Sequence, residues 1–366
     1  MTLPRPADIS VIVPTFNERD NVEILIARLA RVLDGFDWEV VFVDDDSKDG
    51  TLEVLHAAAR RDVRVRYIHR IGRRGLSSAV IEGIQSTSGP LVAVMDADLQ
   101  HDESLLPSMI RELDSAEVDL AVGSRYIQGG SVADWPQGRR VISKIATRFA
   151  RVVTRPTLSD PMSGYFVIRR AAFDTAVRRL SALGCKILLD VLASADKPLQ
   201  VKELPYTFRN RERGDSKLDA LVSYEYLLLM LDKTIGRVVP VRFIMFATVG
   251  GFGVLCHMLL LALLYLVLRL GFPVAQSGAT VGAMTFNFFV NNFLTYHDRR
   301  LKGFFGLARG LTSFYAVGAV GAIANVGIAS ALFARHYSWF LDGVAGIVVG
   351  AVWNYAASAT FTWKSK

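Results

Sequence analysis

Over the first 240 residues, short apolar runs alternate with longer stretches whose apolar positions recur every three or four residues. Ile9–Val13 is apolar but for Ser10 and predicts a buried strand, whereas Val22, Leu25, Ile26, Leu29, Val32 and Leu33 share one face of a helix over Asn21–Leu33. The alternation continues with a strand at Glu39–Val43, a helix at Thr51–Arg60, a strand at Arg64–His69 and a helix at Gly75–Ser86. A strand at Leu91–Met95, a helix at Leu105–Leu113 and a strand at Leu120–Ser124 complete it. Such alternation predicts a mostly parallel, Rossmann-like α/β sheet with helices on both faces. Sheets of this kind bind ligands beyond the carboxyl ends of their strands.

Past Val241 the pattern changes. Four apolar segments follow, near Arg242–Leu268, Val274–Thr295, Leu311–Phe333 and Leu341–Phe361. Each exceeds the roughly 18–20 residues that span a bilayer, so an all-α domain of four transmembrane helices is predicted. The chain thus divides into a soluble domain at 1–220, a juxtamembrane segment at 221–240 and a membrane domain at 241–366. Within the soluble part, Ser143–Pro156 sets Ile145, Ala146, Phe149, Val152 and Val153 against Lys144, Arg148, Arg151 and Arg155, a pattern shared by core-facing helices and helices lying on a membrane. Leu218–Leu231 is a further candidate for packing near the membrane.

The membrane part carries a repeat. Phe246–Gly253 resembles Phe314–Gly321, and Asn287 with Thr295-Tyr296 resembles Asn354 with Thr362-Trp363. The match implies a tandem, non-inverted duplication of a two-helix unit. Basic residues gather at Arg237 and Arg242, at Arg299, Arg300, Lys302 and Arg309, and at Lys364 and Lys366. The positive-inside rule then places both termini, and with them the soluble domain, in the cytoplasm of a multi-pass cell-membrane protein.

Composition sharpens this division. The 366 residues are 51% hydrophobic with a formal net charge of +7, and the mean hydropathy is +0.29. The basic residues do not interleave with aromatics as in a nucleic-acid-binding sheet, which favours membrane and phosphate over nucleic acid as partners. Cys185 and Cys256, one in each half, fit a reducing cytosol, and no signal peptide is expected before the first strand.

The candidate chemistry falls at the predicted strand ends, in Pro14–Glu18, Asp44–Thr51, Asp96–Gln100 and Gly123–Tyr126. Asp46 or Ser47 is a candidate helix cap and Asp49-Gly50 a turn. Asp96 and Asp98 are two apart, so in extended backbone their carboxylates point to one side. Like charges held together call for a cation, and hard oxygen ligands suit Mg²⁺ or Mn²⁺ shared with substrate phosphates.

Taken together, VIVPTFNE (11–18), VFVDDDSKDGT (41–51), GRRGLSSAVIEG (72–83), MDADLQH (95–101), GSRY (123–126), RRVIS (139–143), DPMSGY (160–165) and RERGDSK (211–217) resemble a family 2 glycosyltransferase of the GT-A fold. More narrowly, the set is similar to dolichyl- and polyprenyl-phosphate mannosyl- and glucosyltransferases. The resemblance implies that Pro14, Phe16, Glu18, Val43 and Asp45 hold the donor nucleotide. Asp96 and Ala97 contact the donor, Asp98 and Gln100 ligate the metal, and Arg211 and Lys217 close over the diphosphate. It places Arg125, Arg139 and Ser143 around the acceptor's lipid phosphate, so that Asp96, Asp98, Arg125 and Arg139 carry the catalytic roles. The second half resembles a GtrA-type membrane domain in its F-x-x-V-G-x-x-G starts and N-x7-T-[YFW] ends.

An acceptor phosphate is already ionised near neutral pH, with a second pKa near about 6, and needs no general base. The expected reaction is inverting transfer of a hexose to a membrane polyprenyl or dolichyl phosphate, giving a β-linked product. His101 fits support of the metal loop, and Asp160 fits a positioning carboxylate. Gly184–Asp190 (GCKILLD) looks like the corresponding stretch of mannosyl enzymes, which puts GDP-mannose ahead of UDP-glucose as donor. A flippase with an inactive soluble half stays as an alternative, whereas a processive synthase is disfavoured by the lack of a Q-x-x-R-W string.

Overall fold

The computed structural model describes residues 7–115, 117–132, 154, 158–181, 184, 186–209, 220–234, 241–296, 300–333, 349 and 352–363. The chain forms two compact units, residues 1–234 and 235–366.

The first unit follows the predicted alternation with ends shifted by one or two residues. Strands β1 (Ile9–Thr15), β2 (Trp38–Asp44), β3 (Val65–His69), β4 (Leu91–Val94) and β5 (Leu120–Ser124) alternate with helices α1 (Arg19–Val32), α2 (Thr51–Arg61), α3 (Leu76–Gln85) and α4 (Leu106–Glu112). Short strand β6 (Ser131–Val132) comes next, then β7 (Phe166–Arg169), α5 (Arg170–Ala176), α6 (Ile187–Ser194), β8 (Val201–Pro205), β9 (Thr207–Phe208) and α7 (Ala220–Thr234). The main sheet runs β3-β2-β1-β4-β7-β5-β8, and β6 and β9 pair apart from it.

Strand β7 lies antiparallel between β4 and β5. Its sequence, Phe166-Val-Ile-Arg169, is as apolar as its neighbours because it is buried on both faces. It separates the ends of β4 and β5, so DPMSGY, which leads into it, is carried between the Asp96 loop and the Arg125 loop. One apolar layer contains Val11, Val13, Leu25, Leu29, Phe42 and Met109. The opposite layer contains Ile12, Val43, Ala79, Ile84, Phe166 and Leu188. Helix α3 lies so close to the sheet that a Cβ on Gly83 would come within 2.5 Å of Ile12 Cγ2 and 2.8 Å of Val43 Cγ2. Glycine is what permits that approach.

Helix α7 belongs to this first unit. Tyr226 and Leu229 pack with Leu189 of α6. Lys233 donates to the fully buried Asp190 across 2.6 Å, which also accepts the Ser181 N–H. Asp190 of the GCKILLD stretch therefore anchors a helix.

In the second unit, α8 (Val241–Ala262) and α9 (Phe272–Val290) are followed by α10 (Phe304–Phe333). Among the described residues one helix, Arg242–Val267, is long and apolar enough to cross a membrane, with mean hydropathy 2.1. Large side chains such as Leu259, Leu266, Phe293, Phe304 and Phe305 are exposed on this unit, a surface suited to lipid. Much of the fourth expected span, Leu341–Phe361, lies outside the described residues, 341–348 among them.

The repeat has a local geometric counterpart. Asn291–Thr295 and Ser358–Thr362 each form a single π-helical turn. Each turn ends on an aromatic residue, Tyr296 at φ −116°, ψ 35° and Trp363 at φ −112°, ψ 48°. The two rings stack on each other with centroids 4.2 Å apart and planes 6° apart.

Candidate active site

Three loops at the carboxyl ends of parallel strands are bound to one another. The loop after β1 meets the loop after β2, with Asn17 N–H donating to Ser47 Oγ at 2.8 Å and Lys48 N–H to Asn17 Oδ1 at 3.0 Å. Glu18 N–H donates to Thr51 Oγ1 at 3.0 Å. The predicted cap at Asp46 or Ser47 is not found: Gly50, at φ 95°, precedes α2. Instead, the Asp49 carboxylate accepts the Thr51 N–H and hydroxyl, while Ser47 binds back to Asp44. A left-handed residue is needed at position 50 to turn the chain into the helix, and glycine adopts it without strain.

Of the expected nucleotide-holding residues, Pro14 near the end of β1 and Phe16 just after it are half-buried, with Arg74 4.1 Å above the Phe16 ring. Glu18 accepts from Asn21 Nδ2 at 2.6 Å. Val43 is fully buried in β2. Asp45 is tied on both oxygens, to Arg70 Nη1 and to the Gly75 N–H, each at 2.7 Å. Burial raises the Asp45 carboxyl above its ordinary value, against the opposing pull of the Gly75 N–H and the Arg70 charge.

Strand β4 ends at Val94 and a turn begins at Ala97, so Asp96 stands just before the turn and Asp98 within it. Their environments differ. Asp98 is buried, and its Oδ1 accepts the Gln100 N–H. The Asp96 side chain is 34% exposed, and Gly164 sits beside it, a Cβ there falling 3.4 Å from Asp96 Oδ2. Ala97 between them and Leu99 after them are buried, and Leu99 takes a left-handed φ of 61°. An aliphatic residue in that region is costly, by about 1–2 kcal/mol, and the burial of Leu99 in the sheet core holds it there.

Two contacts fix this turn. Asp96 N–H donates to His101 Nδ1 at 3.1 Å. His101 stacks on Tyr165 with centroids 5.0 Å apart and meets the edges of Tyr206 and Phe208. Burial pushes the imidazole down to about 4, against the Asp98 charge, so it stays neutral and its Nδ1 stays an acceptor near pH 7. The second contact is Arg209. Its N–H donates to the Gln100 carbonyl, and Gln100 Nε2 donates to its carbonyl, each at 2.9 Å. The Arg209 guanidinium reaches Asp102 at 2.8 Å and Glu103 at 3.0 Å. Gln100 thereby directs its amide nitrogen at Arg209.

Arg125 forms a fork on Asp160, Nε to Oδ2 at 2.6 Å and Nη2 to Oδ1 at 2.8 Å, with its own N–H also on Oδ2. Asp160 is fully buried, and its loop is held by Glu203, which accepts the Ser159 and Asp160 N–H groups. Ser163 Oγ donates to the Gly123 carbonyl at 2.7 Å. DPMSGY is thus bound to the end of β5.

A profile of glycosyl transferase family 2 matches residues 10–176, and the GtrA/DPMS transmembrane domain matches residues 245–363. A dolichol-phosphate mannosyltransferase of Pyrococcus furiosus is 35% identical over 361 residues, covering 97% of this chain and 99% of the relative. The chain belongs to the dolichol-phosphate mannosyltransferase family.

A second family member, from Mycosarcoma maydis, is 39% identical over 231 residues, which span 61% of this chain and 78% of that protein. Among solved structures, glucosyl-3-phosphoglycerate synthase of Mycobacterium tuberculosis in complex with phosphoglyceric acid aligns with 62% of this chain and 80% of its own, at 20% identity and a TM-score of 0.47. The chain is a glycosyltransferase with a mostly parallel sheet domain and a membrane domain.

The structure brings Asp96, Ala97, Asp98 and Gln100 into one turn and sets the Pro14–Glu18 loop against the Asp45 loop. Arg139, Ser143, Arg211 and Lys217, and the amphipathic stretch Ser143–Pro156 but for Thr154, lie outside the described residues. Sequence reading passed over Arg209, Gly164 and Arg70. Arg209 lies two residues before the RERGDSK motif (211–217), and its partner Gln100 is 109 residues away.

Proposed function

We propose that this chain transfers mannose from a nucleotide-diphosphate donor, GDP-mannose, to the phosphate of a dolichyl or polyprenyl phosphate. The observation that carries the reading is the Asp96–Asp98–Gln100 turn at the end of β4, held from below by His101 and from the side by Arg209, in a chain of this family.

The donor set suits a divalent metal. Asp96, Asp98 and the Gln100 amide oxygen are hard ligands, and the Gln100 amide nitrogen is turned to Arg209. Asp98 and Gln100 would hold Mg²⁺ or Mn²⁺, and Asp96 would face ion and donor together. Once bound, the ion neutralises charge on the leaving diphosphate.

The chain's own residues do the remainder. Pro14, Phe16, Glu18, Val43 and Asp45 hold the nucleotide, and Arg211 and Lys217 meet the diphosphate. Arg139 and Ser143 take the acceptor phosphate, with Arg125 presenting its charge from the position that Asp160 fixes. A phosphate oxygen forms the bond to the anomeric carbon as the bond to the diphosphate breaks, on the opposite face, so an α-linked donor gives a β-linked product. No proton is removed from the nucleophile, and catalysis consists of placement and charge stabilisation. The membrane domain anchors the enzyme as a multi-pass protein and keeps the catalytic unit and both termini cytoplasmic.

The test uses the purified full chain with Mn²⁺, a polyprenyl phosphate and either radiolabelled GDP-mannose or UDP-glucose. Label from GDP-mannose alone should enter the organic phase. Transfer from UDP-glucose alone would reassign the donor, and no transfer from either would overturn the reading.

A further inference from the structure

The turn joining α9 to α10 carries a groove of about 410 Å³ that the transfer chemistry does not use. Its apolar walls are Phe289, Phe293, Leu301 and Leu307, and Arg300 and Lys302 also line it. We propose that this groove binds an acidic phospholipid of the surrounding bilayer, its phosphodiester on Arg300 and Lys302 and the start of an acyl chain along Phe289, Phe293 and Leu307.

The groove is built and held open by its own residues. Asn292 grips the backbone of Leu301 from both sides, its Oδ1 accepting the Leu301 N–H at 2.9 Å and its Nδ2 donating to the Leu301 carbonyl at 3.2 Å. Oδ1 also accepts the Trp363 indole N–H at 3.0 Å, which pins the turn to the end of the chain. Leu301 therefore sets the positions of Arg300 before it and Lys302 after it. The Arg300 guanidinium lies 5.0 Å from the Phe293 ring centre, so cation and aromatic wall form one surface. A cavity of this size is within the range of small-ligand sites, roughly 300–1,000 Å³.

The surroundings point to lipid as the occupant. Phe289 and Phe293, at the end of α9 and just after it, are exposed, as are Phe304 and Phe305 at the start of α10, at 81% and 86%. Basic residues whose charged heads sit beside exposed apolar side chains fit the level where a membrane domain meets the headgroups. Two cations next to an apolar wall complement a group that is anionic at one end and aliphatic at the other. This inference rests on the second unit being a membrane domain and not on the sugar transfer.

The experiment is native mass spectrometry of the full chain in detergent, titrated with phosphatidylglycerol or with phosphatidylcholine of the same acyl chains. At about 1 kcal/mol per cation, the chain should prefer the acidic lipid roughly thirty-fold. R300Q/K302Q should abolish that preference, whereas R300K/K302R should keep it, which separates charge from misfolding. R269Q/R309Q removes the same charge away from the groove and should leave the preference intact. Equal uptake of both lipids, or a preference that survives R300Q/K302Q, would overturn the proposal. Displacement of phosphatidylglycerol mole for mole by polyprenyl phosphate would overturn it too and give the groove to the acceptor. Mannose transfer measured on the same preparation keeps the two readings apart, since lost transfer with an intact lipid preference counts only against the transferase.

Discussion

The Arg125 guanidinium and the Asp160 carboxylate, 35 residues apart, meet as a buried two-pronged pair with contacts of 2.6 and 2.8 Å. The pairing raises the already high pKa of Arg125 against the cost of its burial, so its charge is permanent and fixed in place. Asp160→Asn removes the charge that balances it. Losing one partner of a buried pair costs about 3–5 kcal/mol, so a marked drop in melting temperature is expected together with lost transfer. Arg125→Lys should lose activity as well, because an ammonium cannot span both carboxylate oxygens. Wild-type stability in Asp160→Asn, read by thermal unfolding, would contradict this account.

Gly164 leaves the Asp96 carboxylate accessible. An added Cβ would lie 3.4 Å from Asp96 Oδ2 and 3.5 Å from His101 Cε1, which is ordinary contact. Gly164→Ala should therefore fold and keep much of its activity. The bulkier Gly164→Val should displace Asp96, and a misplacement of about 1 Å costs on the order of a hundredfold in rate. Steady-state kinetics of the two variants, with circular dichroism to confirm folding, tests the steric reading.

Arg209 ties Gln100 through its backbone and Asp102 and Glu103 through its guanidinium. Chelation of divalent metal should stop transfer, and added Mn²⁺ should restore it. Arg209→Ala frees the strand end from Asp102 and Glu103, and loss of such outer support typically weakens a metal by about 10–100-fold. Titration of Mn²⁺ by electron paramagnetic resonance gives the affinity without reference to turnover. An unchanged affinity would show that the two backbone contacts of residue 209, which the substitution keeps, hold Gln100 without the guanidinium.

Asp49 reports on the laced loops through pH. Burial alone would raise its carboxyl, but the hydroxyl and N–H of Thr51 and the N–H of Arg19 hold it below the ordinary 3.8. With the folded pKa below the unfolded one, the stabilisation is present above about pH 3.8 and is lost as the pH falls through the folded value. Asp49→Asn should lower stability near pH 7 by less than about 1 kcal/mol, because the amide keeps an acceptor oxygen but loses the charge at an exposed site. The gap to wild type should close in acid, as followed by thermal unfolding across pH.

Asn292→Ala strands the Leu301 N–H and carbonyl and the Trp363 indole N–H at once. Each buried group left unsatisfied costs about 1–3 kcal/mol, so the second unit should melt well below the wild type in detergent. Tryptophan fluorescence of Trp363 is the natural probe, since its ring is fully buried and stacked on Tyr296.

The sequence by itself determined the alternating strands and helices of the first unit, because strand and helix periods are local and each apolar face had a single sheet to cover. It also located the Asp96–Gln100 loop, since a D-x-D after an apolar run ends a strand whatever surrounds it, and it marked the change to lipid-facing helices after Val241. The tertiary structure alone decided that β7 runs antiparallel between β4 and β5, because a four-residue apolar strand carries no sign of its direction. It decided that Leu99 would be forced to a left-handed turn, because only burial in the distant core offsets that strain. It also decided that Arg209 would hold Gln100 and that Asp160 would hold Arg125. Those pairs lie 109 and 35 residues apart, and their meeting depends on the sheet order that returns the chain to one rim.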